Sequence, residues 1–164
     1  MEGNMKELVD VLIKVLDEEV VVYSKLLKNL DEKTQVLVDG DIKKLDEITK
    51  EEQSITETLV KLENLREKVL FNIAHKKEKS ELDVSQILEF IEGQEKEILE
   101  EKRNKLVNIL EKIKEKNVLN SRLIKDSLDY INLNIDLFTN RDSNLTYGKG
   151  KKNEQTASFF NKQA

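Results

Sequence analysis

The sequence predicts an all-α protein, an antiparallel three-helix, coiled-coil-like bundle with a short connecting helix and a flexible C-terminal tail. Three observations predict this fold class. The 164 residues include no proline, 37% of them are charged and 38% are hydrophobic, a composition that favours long amphipathic helices. Apolar residues recur every three or four positions over long stretches, and only five glycines interrupt the chain. The length fits a single domain.

The first long helix is predicted over residues 5–38, and a tight turn follows it. Its apolar positions alternate in steps of four and three residues, which is the spacing of a coiled-coil seam rather than of a strand. The turn is expected at Asp39-Gly40-Asp41, because glycine accepts the left-handed conformation that ends a helix and Asp41 can cap the next one. So short a break reverses the chain and makes an antiparallel pair of helices.

Three further helices are predicted after this turn, over residues 42–75, 84–92 and 94–139. Asp83 can cap the short helix, and Gly93 permits a corner before the last one. These elements make residues 1–140 the helical bundle. The periodicity then stops, and Ser, Thr, Asn, Gln, Gly and Lys dominate, so residues 141–164 are predicted to form the flexible tail.

Four polar residues interrupt the apolar seams, namely Glu52 and Arg66 in the second helix and Asn117 and Asn120 in the last. Glu52 and Arg66 are 14 residues apart, roughly 21 Å along a helix, so each needs a partner on another helix or at a wet edge. Polar seam residues lower stability but fix register. If buried, they are expected to be hydrogen-bonded, because an unsatisfied group costs ~1–3 kcal/mol. A structural role is therefore predicted for all four.

The last predicted helix is longer than its partners and apolar on two sides. At 1.5 Å per residue it spans roughly 69 Å, against roughly 51 Å for the first helix, so its far end must pack on something else or stay exposed. A helical projection separates an inner set from an outer set. The inner set is Ile124, Leu128, Ile131, Ile135 and Phe138, and the outer set is Leu119, Leu123, Tyr130, Leu133 and Leu137. A second apolar side at a helix end predicts a partner.

Three kinds of partner fit the outer set: another segment of this chain, another subunit, or a client peptide that binds as a helix. Cover from within the chain would come from the tail or from the short helix at residues 84–92. The sequence leaves these alternatives open.

The sequence offers little for catalysis, and no enzyme is predicted. The absence of cysteine excludes a disulfide framework, a thiolate metal site and a cysteine nucleophile. His75 is the only histidine, and it lacks the Glu-x-x-His spacing of metal sites in helical bundles. Adjacent acidic pairs such as Glu18-Glu19 point to different sides of a helix and are expected to be solvated. We expect no cofactor and no metal site.

Charge and hydropathy limit the partners and the compartment. The net charge of −5 repels nucleic-acid phosphates, so no nucleic-acid binding is expected. The charge is uneven, with +3 on residues 141–164 and −8 on residues 1–140. No apolar run reaches the ~18 residues of a membrane span, and the start of the chain has no signal-peptide features. A cytoplasmic protein without stable membrane insertion is predicted.

Several motifs resemble those of FlgN-type flagellar export chaperones. LDEITKEEQ at residues 45–53 resembles the family's second-helix motif, and LENLR at residues 62–66 resembles its Leu-Glu-x-x-Arg element. The third-helix pattern is similar at residues 117–131, and the tail pattern is similar at residues 147–150 and 159–164. Tyr23, Leu26 and Leu27 also fit the family. The matches run in order over nearly the whole chain, although none covers residues 76–93.

The resemblance implies a cytosolic chaperone that is not an enzyme. Such proteins bind C-terminal helical segments of hook–filament junction proteins, keep them from assembling prematurely and deliver them to the flagellar export machinery. Family knowledge places client binding at the third long helix and the C-terminal part, so the outer set, with Leu145 and Phe159 of the tail, is expected to contact the client. The alternative is a coiled-coil scaffold or tethering protein that self-associates through the same residues.

Overall fold

The computed structural model describes residues 3–143, which form four helices: α1 (Gly3–Asp39), α2 (Ile42–Lys76), α3 (Val84–Phe90) and α4 (Gln94–Ser143). The residues that it describes include no strand, so the prediction of an all-α chain is confirmed. α1 packs along both α2 and α4, and α3 packs on α4. A closed three-helix bundle, in which α2 and α4 would also pack along each other, stays a prediction. None of the described helices is long and apolar enough to cross a membrane.

The turn between α1 and α2 forms at a glycine in the left-handed region. Gly40 has a φ of 72°, and its backbone N–H donates to the carbonyl of Val36 at 2.9 Å, which closes the end of α1. The side chain of Asp41 then accepts a hydrogen bond from the backbone N–H of Lys44 at 3.1 Å. This cap satisfies a backbone donor in the first turn of α2, which has no partner within its own helix.

Ion pairs show that α1 and α2 run in opposite directions. Arg66 Nη1 of α2 lies 2.7 Å from Glu19 Oε2 of α1, and Lys33 Nζ of α1 lies 2.9 Å from Glu52 Oε2 of α2. The partner on α2 therefore moves backward along the chain as the residue on α1 moves forward. The short connection through Gly40 requires this orientation.

α1 and α4, by contrast, run in the same direction. Lys102 Nζ lies 2.8 Å from Asp17 Oδ1, and Lys116 Nζ lies 3.0 Å from Asp31 Oδ1. In both pairs the residue on α4 is 85 positions later than its partner on α1. The shared offset of these two pairs gives the register of the middle part of the contact between the two helices.

The apolar core lies toward the end of the molecule that carries α3. Seven of its eight most completely buried members lie at this end, namely Val9, Leu12, Leu16, Ile73, Ile87, Ile91 and Leu99, whereas Leu30 lies nearer the α1–α2 turn. Burying a side chain of this size contributes about 1.5–3 kcal/mol, so this end holds most of the packing energy. Beyond Ile113, no apolar side chain of α4 that the structure describes is fully buried.

α3 lies at the beginning of α4 and not at its end. Arg103 Nε donates to Ser85 Oγ at 3.1 Å, and Ile87 and Ile91 are buried in the same core cluster as Leu99. Tyr130 lies 27 residues beyond Arg103, or roughly 40 Å along the helix. The 84–92 segment therefore does not cover the far end of α4, because its apolar side chains are used in the core instead.

Two element ends differ from the sequence-based expectation. α3 ends at Phe90, and Ile91 is extended because the chain must turn at Gly93, which has a φ of 78°. α4 continues through Ser143, so residues 141–143 of the predicted flexible tail are helical. No glycine occurs between Gln94 and Gly148 to end the helix earlier. The rest of that tail lies outside the described residues.

Candidate functional site

The far end of α4 extends past the helix on which it packs. Thr34 of α1 donates a hydrogen bond to Asn120 Oδ1 of α4 at 2.5 Å, across an offset of 86 residues. This offset brings Asp39, the last residue of α1, level with Lys125. The 18 residues from 126 to Ser143 therefore lie beyond the end of α1. We call them the α4 overhang, and they span roughly 27 Å.

The outer set of α4 is open to solvent. Tyr130, Leu133 and Leu137 are 66%, 54% and 56% exposed. Leu119 is also exposed, and Leu123 is half-buried. Exposed aliphatic and aromatic residues at helical spacing form a continuous apolar strip, which is the usual mark of an interaction site on a soluble protein.

The inner set of the overhang is only partly covered. Leu128 and Ile135 are half-buried, whereas Ile131 and Phe138 are exposed. Phe138 is among the most exposed large apolar residues of the described chain, at 73%. Because α1 ends level with Lys125, the inner side of α4 loses its neighbour there, and both sides of the overhang present apolar surface.

An apolar groove of about 670 Å³ lies where the α1–α2 turn faces α4. We call it the turn groove. Its walls include Val36 of α1, Ile42 and Leu45 of α2, and Leu123 and Ile131 of α4. Its charged lining residues, among those that the structure describes, are Asp41 and Asp126. Such a groove can take apolar side chains from a peptide or helix.

Asn120 is buried and marks the boundary between the packed part of α4 and its open end. It is 3% exposed, and its Nδ2 donates to the carbonyl of Leu30 at 3.1 Å while its Oδ1 accepts from Thr34. Asn117 differs from the sequence-based expectation, since it is exposed and not in the buried seam. Asn117 and Asn120 are about one helical turn apart on α4. The path of α4 across α1 brings only Asn120 into the contact between the two helices.

The other two polar seam residues lie between α1 and α2. Glu52 accepts a charged hydrogen bond from Lys33 Nζ at 2.9 Å, with both side chains partly exposed. Arg66 donates to Glu19, whose side chain is 0% exposed. Glu19 was expected to be solvated with Glu18, and this expectation was wrong. Glu18 is exposed, but Glu19 lies on the side of α1 that faces α2.

Burial gives Glu19 unusual acid–base behaviour. Loss of hydration raises the pKa of Glu19 from 4.5 to about 7, and the neighbouring Glu63 carboxylate raises it as well, while Arg66 lowers it. The hydroxyl of Tyr23 donates to Glu63 Oε1 at 2.6 Å, and burial together with this bond raises the pKa of Tyr23. Glu19 Oε1 has no hydrogen-bond partner in the structure, so ionised Glu19 is only partly compensated.

The sequence held a signal for the buried acid. Arg66 occupies an apolar position of α2, and an antiparallel pair of helices that share the turn at Gly40 keeps a nearly constant sum of contacting residue numbers. Glu52 contacts Lys33, and the same sum of residue numbers assigns Glu19 as the partner of Arg66. The turn groove has no such signal, because its walls come from three helices whose relative positions are set by tertiary packing.

Two residues expected at the site, Leu145 and Phe159, lie outside the described residues. Within residues 3–143, no group of three or more acidic or histidine side chains is arranged to hold a metal ion. His75 is exposed at the end of α2, where its ring stacks on Phe71 at 6.4 Å between centroids.

The chain is similar to a protein family and to a curated relative. A family model described as FlgN protein matches residues 1–155. The chain is similar to the uncharacterized protein YvyG of Bacillus subtilis (strain 168), with 29% identity over 143 residues, which cover 87% of this chain and 88% of the relative. No solved structure matches the chain.

Proposed function

This chain belongs to the FlgN family of flagellar export chaperones, and from that premise we propose which clients it binds and where. The clients are flagellar hook-associated proteins of the hook–filament junction. Their C-terminal helical segments bind the outer set of α4 and are kept from assembling before secretion. The chain acts in the cytoplasm and passes its client to the flagellar export machinery.

The observation that carries the proposal is the open end of α4. Tyr130, Leu133 and Leu137 are more than half exposed on one side of a helix that extends past α1. An amphipathic helix lying along this strip would bury its own apolar side at the same time. Both partners then remove from water the surface that would otherwise promote aggregation. A chaperone needs no catalytic group for this action.

The length of the overhang fits a helical client. Its 18 residues form about five helical turns, and the outer set recurs there at steps of three and four residues. A client helix with the same spacing can therefore make several apolar contacts in register. Asn120 and Thr34 hold α4 against α1 shortly before the overhang begins.

The proposal is tested by titrating the full-length chain with a peptide from the C-terminal helix of a hook–filament junction protein. The variant Leu133→Asp, Leu137→Asp removes two exposed apolar contacts and places two carboxylates in the interface. Burying the exposed halves of two leucines contributes roughly 1 kcal/mol each, and desolvating the carboxylates adds a further cost. We expect the affinity to fall by about 100-fold, which corresponds to ~3 kcal/mol.

Val60→Asp, Leu65→Asp is the matched control. Both residues are exposed on α2 to nearly the same degree, 51% and 48%, and the substitutions make the same change of charge. This control should keep the affinity of the unmodified chain. Equal affinities for all three proteins would exclude the outer set as the client site. No binding by the unmodified chain at micromolar concentration would exclude the client class.

The same exposed strip also favours a second function, self-association as a coiled-coil scaffold or tether. Sedimentation over a range of concentrations distinguishes the two. Oligomers that grow with concentration in the absence of client support the scaffold. A monomer that forms a one-to-one complex with the client peptide supports the chaperone.

A further inference from the structure

The rim of the turn groove is acidic. Asp41 and Asp126 line the groove itself. A neighbouring depression, which shares Val36 and Asp41 with the groove, adds Glu32, Asp39, Glu47 and Glu51, with Lys44 as the basic residue among its described lining. An occupant that suits both surfaces combines apolar side chains for the groove with basic side chains for its rim.

Residues 144–164 of this same chain have that combination. They contain four lysines and one glutamate, a net charge of +3, and two adjacent aromatic residues, Phe159 and Phe160. The described part of the chain carries the opposite charge, since the whole chain has a net charge of −5. Charge therefore attracts this segment to the acidic end of the molecule, and its phenylalanines can bury apolar surface there.

The distances permit this contact. α4 passes the groove between Leu123 and Ile131 and ends at Ser143, so the groove lies roughly 18–30 Å back along the helix. Sixteen residues lead from Asn144 to Phe159, and an extended chain of that length spans up to about 50 Å. A tether of this size gives an effective concentration in the millimolar range. That exceeds the concentration of a second copy in ordinary solution.

We propose that residues 144–164 dock on the turn groove of their own chain, with Phe159 and Phe160 in the groove and the lysines at its rim. Leu123 and Tyr130 line the groove and also belong to the outer set. A docked segment therefore covers part of the surface assigned to the client and competes with it. The competition rests on the proposed function, whereas the docking itself does not.

A single tryptophan reports the docking, since the natural chain has none. In the full-length Phe160→Trp variant, we expect the tryptophan emission to lie at shorter wavelength than in a free peptide of residues 144–164 with the same substitution. Adding Ile42→Ser and Ile131→Ser, both at exposed groove positions, should shift the emission to that of the free peptide. Adding Val60→Ser and Leu65→Ser instead should leave it unchanged.

Two results would overturn the docking. One is an emission equal to that of the free peptide in the full-length chain. The other is a blue shift that disappears on dilution, which assigns the groove to the segment of a second copy. Circular dichroism of each variant verifies that the helices are intact, as expected from the exposure of all four serine positions.

The competition has its own measurement. A groove that is occupied nine-tenths of the time lowers the apparent client affinity about tenfold. Phe160→Ser, which keeps the expected client residue Phe159 in place, should therefore bind the junction-protein peptide up to about tenfold more tightly. Equal affinity with and without this substitution would overturn the competition. Absence of client binding in both proteins would refute the proposed function, and the tryptophan emission would still decide the docking.

Discussion

Glu19 makes the stability of this protein depend on pH in a direction opposite to that of most carboxylates. Its pKa is about 7 in the folded chain, against 4.5 for a hydrated glutamate side chain, so the folded chain binds this proton more tightly than the unfolded chain. The stabilising contribution is fully present below pH 4.5 and is lost as the pH rises through 7. Replacing Glu19 by glutamine fixes the neutral form and should remove this dependence.

The magnitude follows from the two pKa values. Integration of the proton-binding difference over the titration gives a loss of roughly 2–3 kcal/mol between pH 5 and pH 8. Glu19→Gln should lack this loss. Relative to the unmodified chain, the variant should therefore gain roughly 2–3 kcal/mol of unfolding free energy as the pH is raised from about 5 to about 8.

Urea unfolding monitored by far-UV circular dichroism measures this difference. The titrating groups that do not interact with Glu19 are the same in the two proteins, so their effects cancel in the comparison. Glu18→Gln is the matched control, since Glu18 is the exposed neighbour of Glu19, and its effect should stay within about 0.5 kcal/mol at both pH values. A difference between Glu19→Gln and the unmodified chain that is the same at both pH values would refute the assignment of a raised pKa to buried Glu19.

Two further substitutions test the polar contacts of α1. Arg66→Met removes the partner of buried Glu19 and should destabilise the chain by ~3–5 kcal/mol near pH 8. The loss of unfolding free energy should be smaller near pH 5, because Glu19 is protonated there. An equal loss at both pH values would contradict the charged pairing of Arg66 with Glu19. Asn120→Ala removes the two hydrogen bonds that the buried Asn120 side chain makes with Thr34 and with the Leu30 carbonyl and should cost ~1–3 kcal/mol in urea unfolding. Asn117 is exposed, so the unfolding free energy of Asn117→Ala should stay within about 0.5 kcal/mol of that of the unmodified chain. Similar losses for the two alanine variants would show that Asn120 contributes no buried hydrogen bond.

The helical class of this chain could be predicted because local signals agree with one another. The absence of proline, the steps of three and four residues and the turn at Gly40 all act within a few residues of each other along the sequence. The left-handed φ of Gly40 and the cap by Asp41 show how completely the sequence specifies that turn. Such features depend on backbone geometry, and neighbouring residues are enough to determine them.

The parts that the sequence left open depend on contacts between distant elements. Glu18 and Glu19 are chemically identical neighbours, and only the packing of α2 makes one buried and the other exposed. The position of α3 at the start of α4 likewise follows from the burial of Ile87 and Ile91 with Leu99. The turn groove joins residues from three helices, so it becomes visible only when their register is known.

The bond between Asn120 and Thr34 divides α4 into two parts of different local stability. On one side, residues such as Leu99 and Leu106 are buried, and tertiary packing holds the helix together. On the other side, the overhang has no fully buried apolar residue up to the limit of the described side chains, so local helix propensity carries it. Any partner that binds the overhang therefore binds only the molecules in which these 18 residues are fully helical. The helix–coil equilibrium of the overhang then becomes part of the measured affinity of that partner. Alanine or glycine at exposed polar positions of the overhang would raise or lower that affinity without touching the occupant.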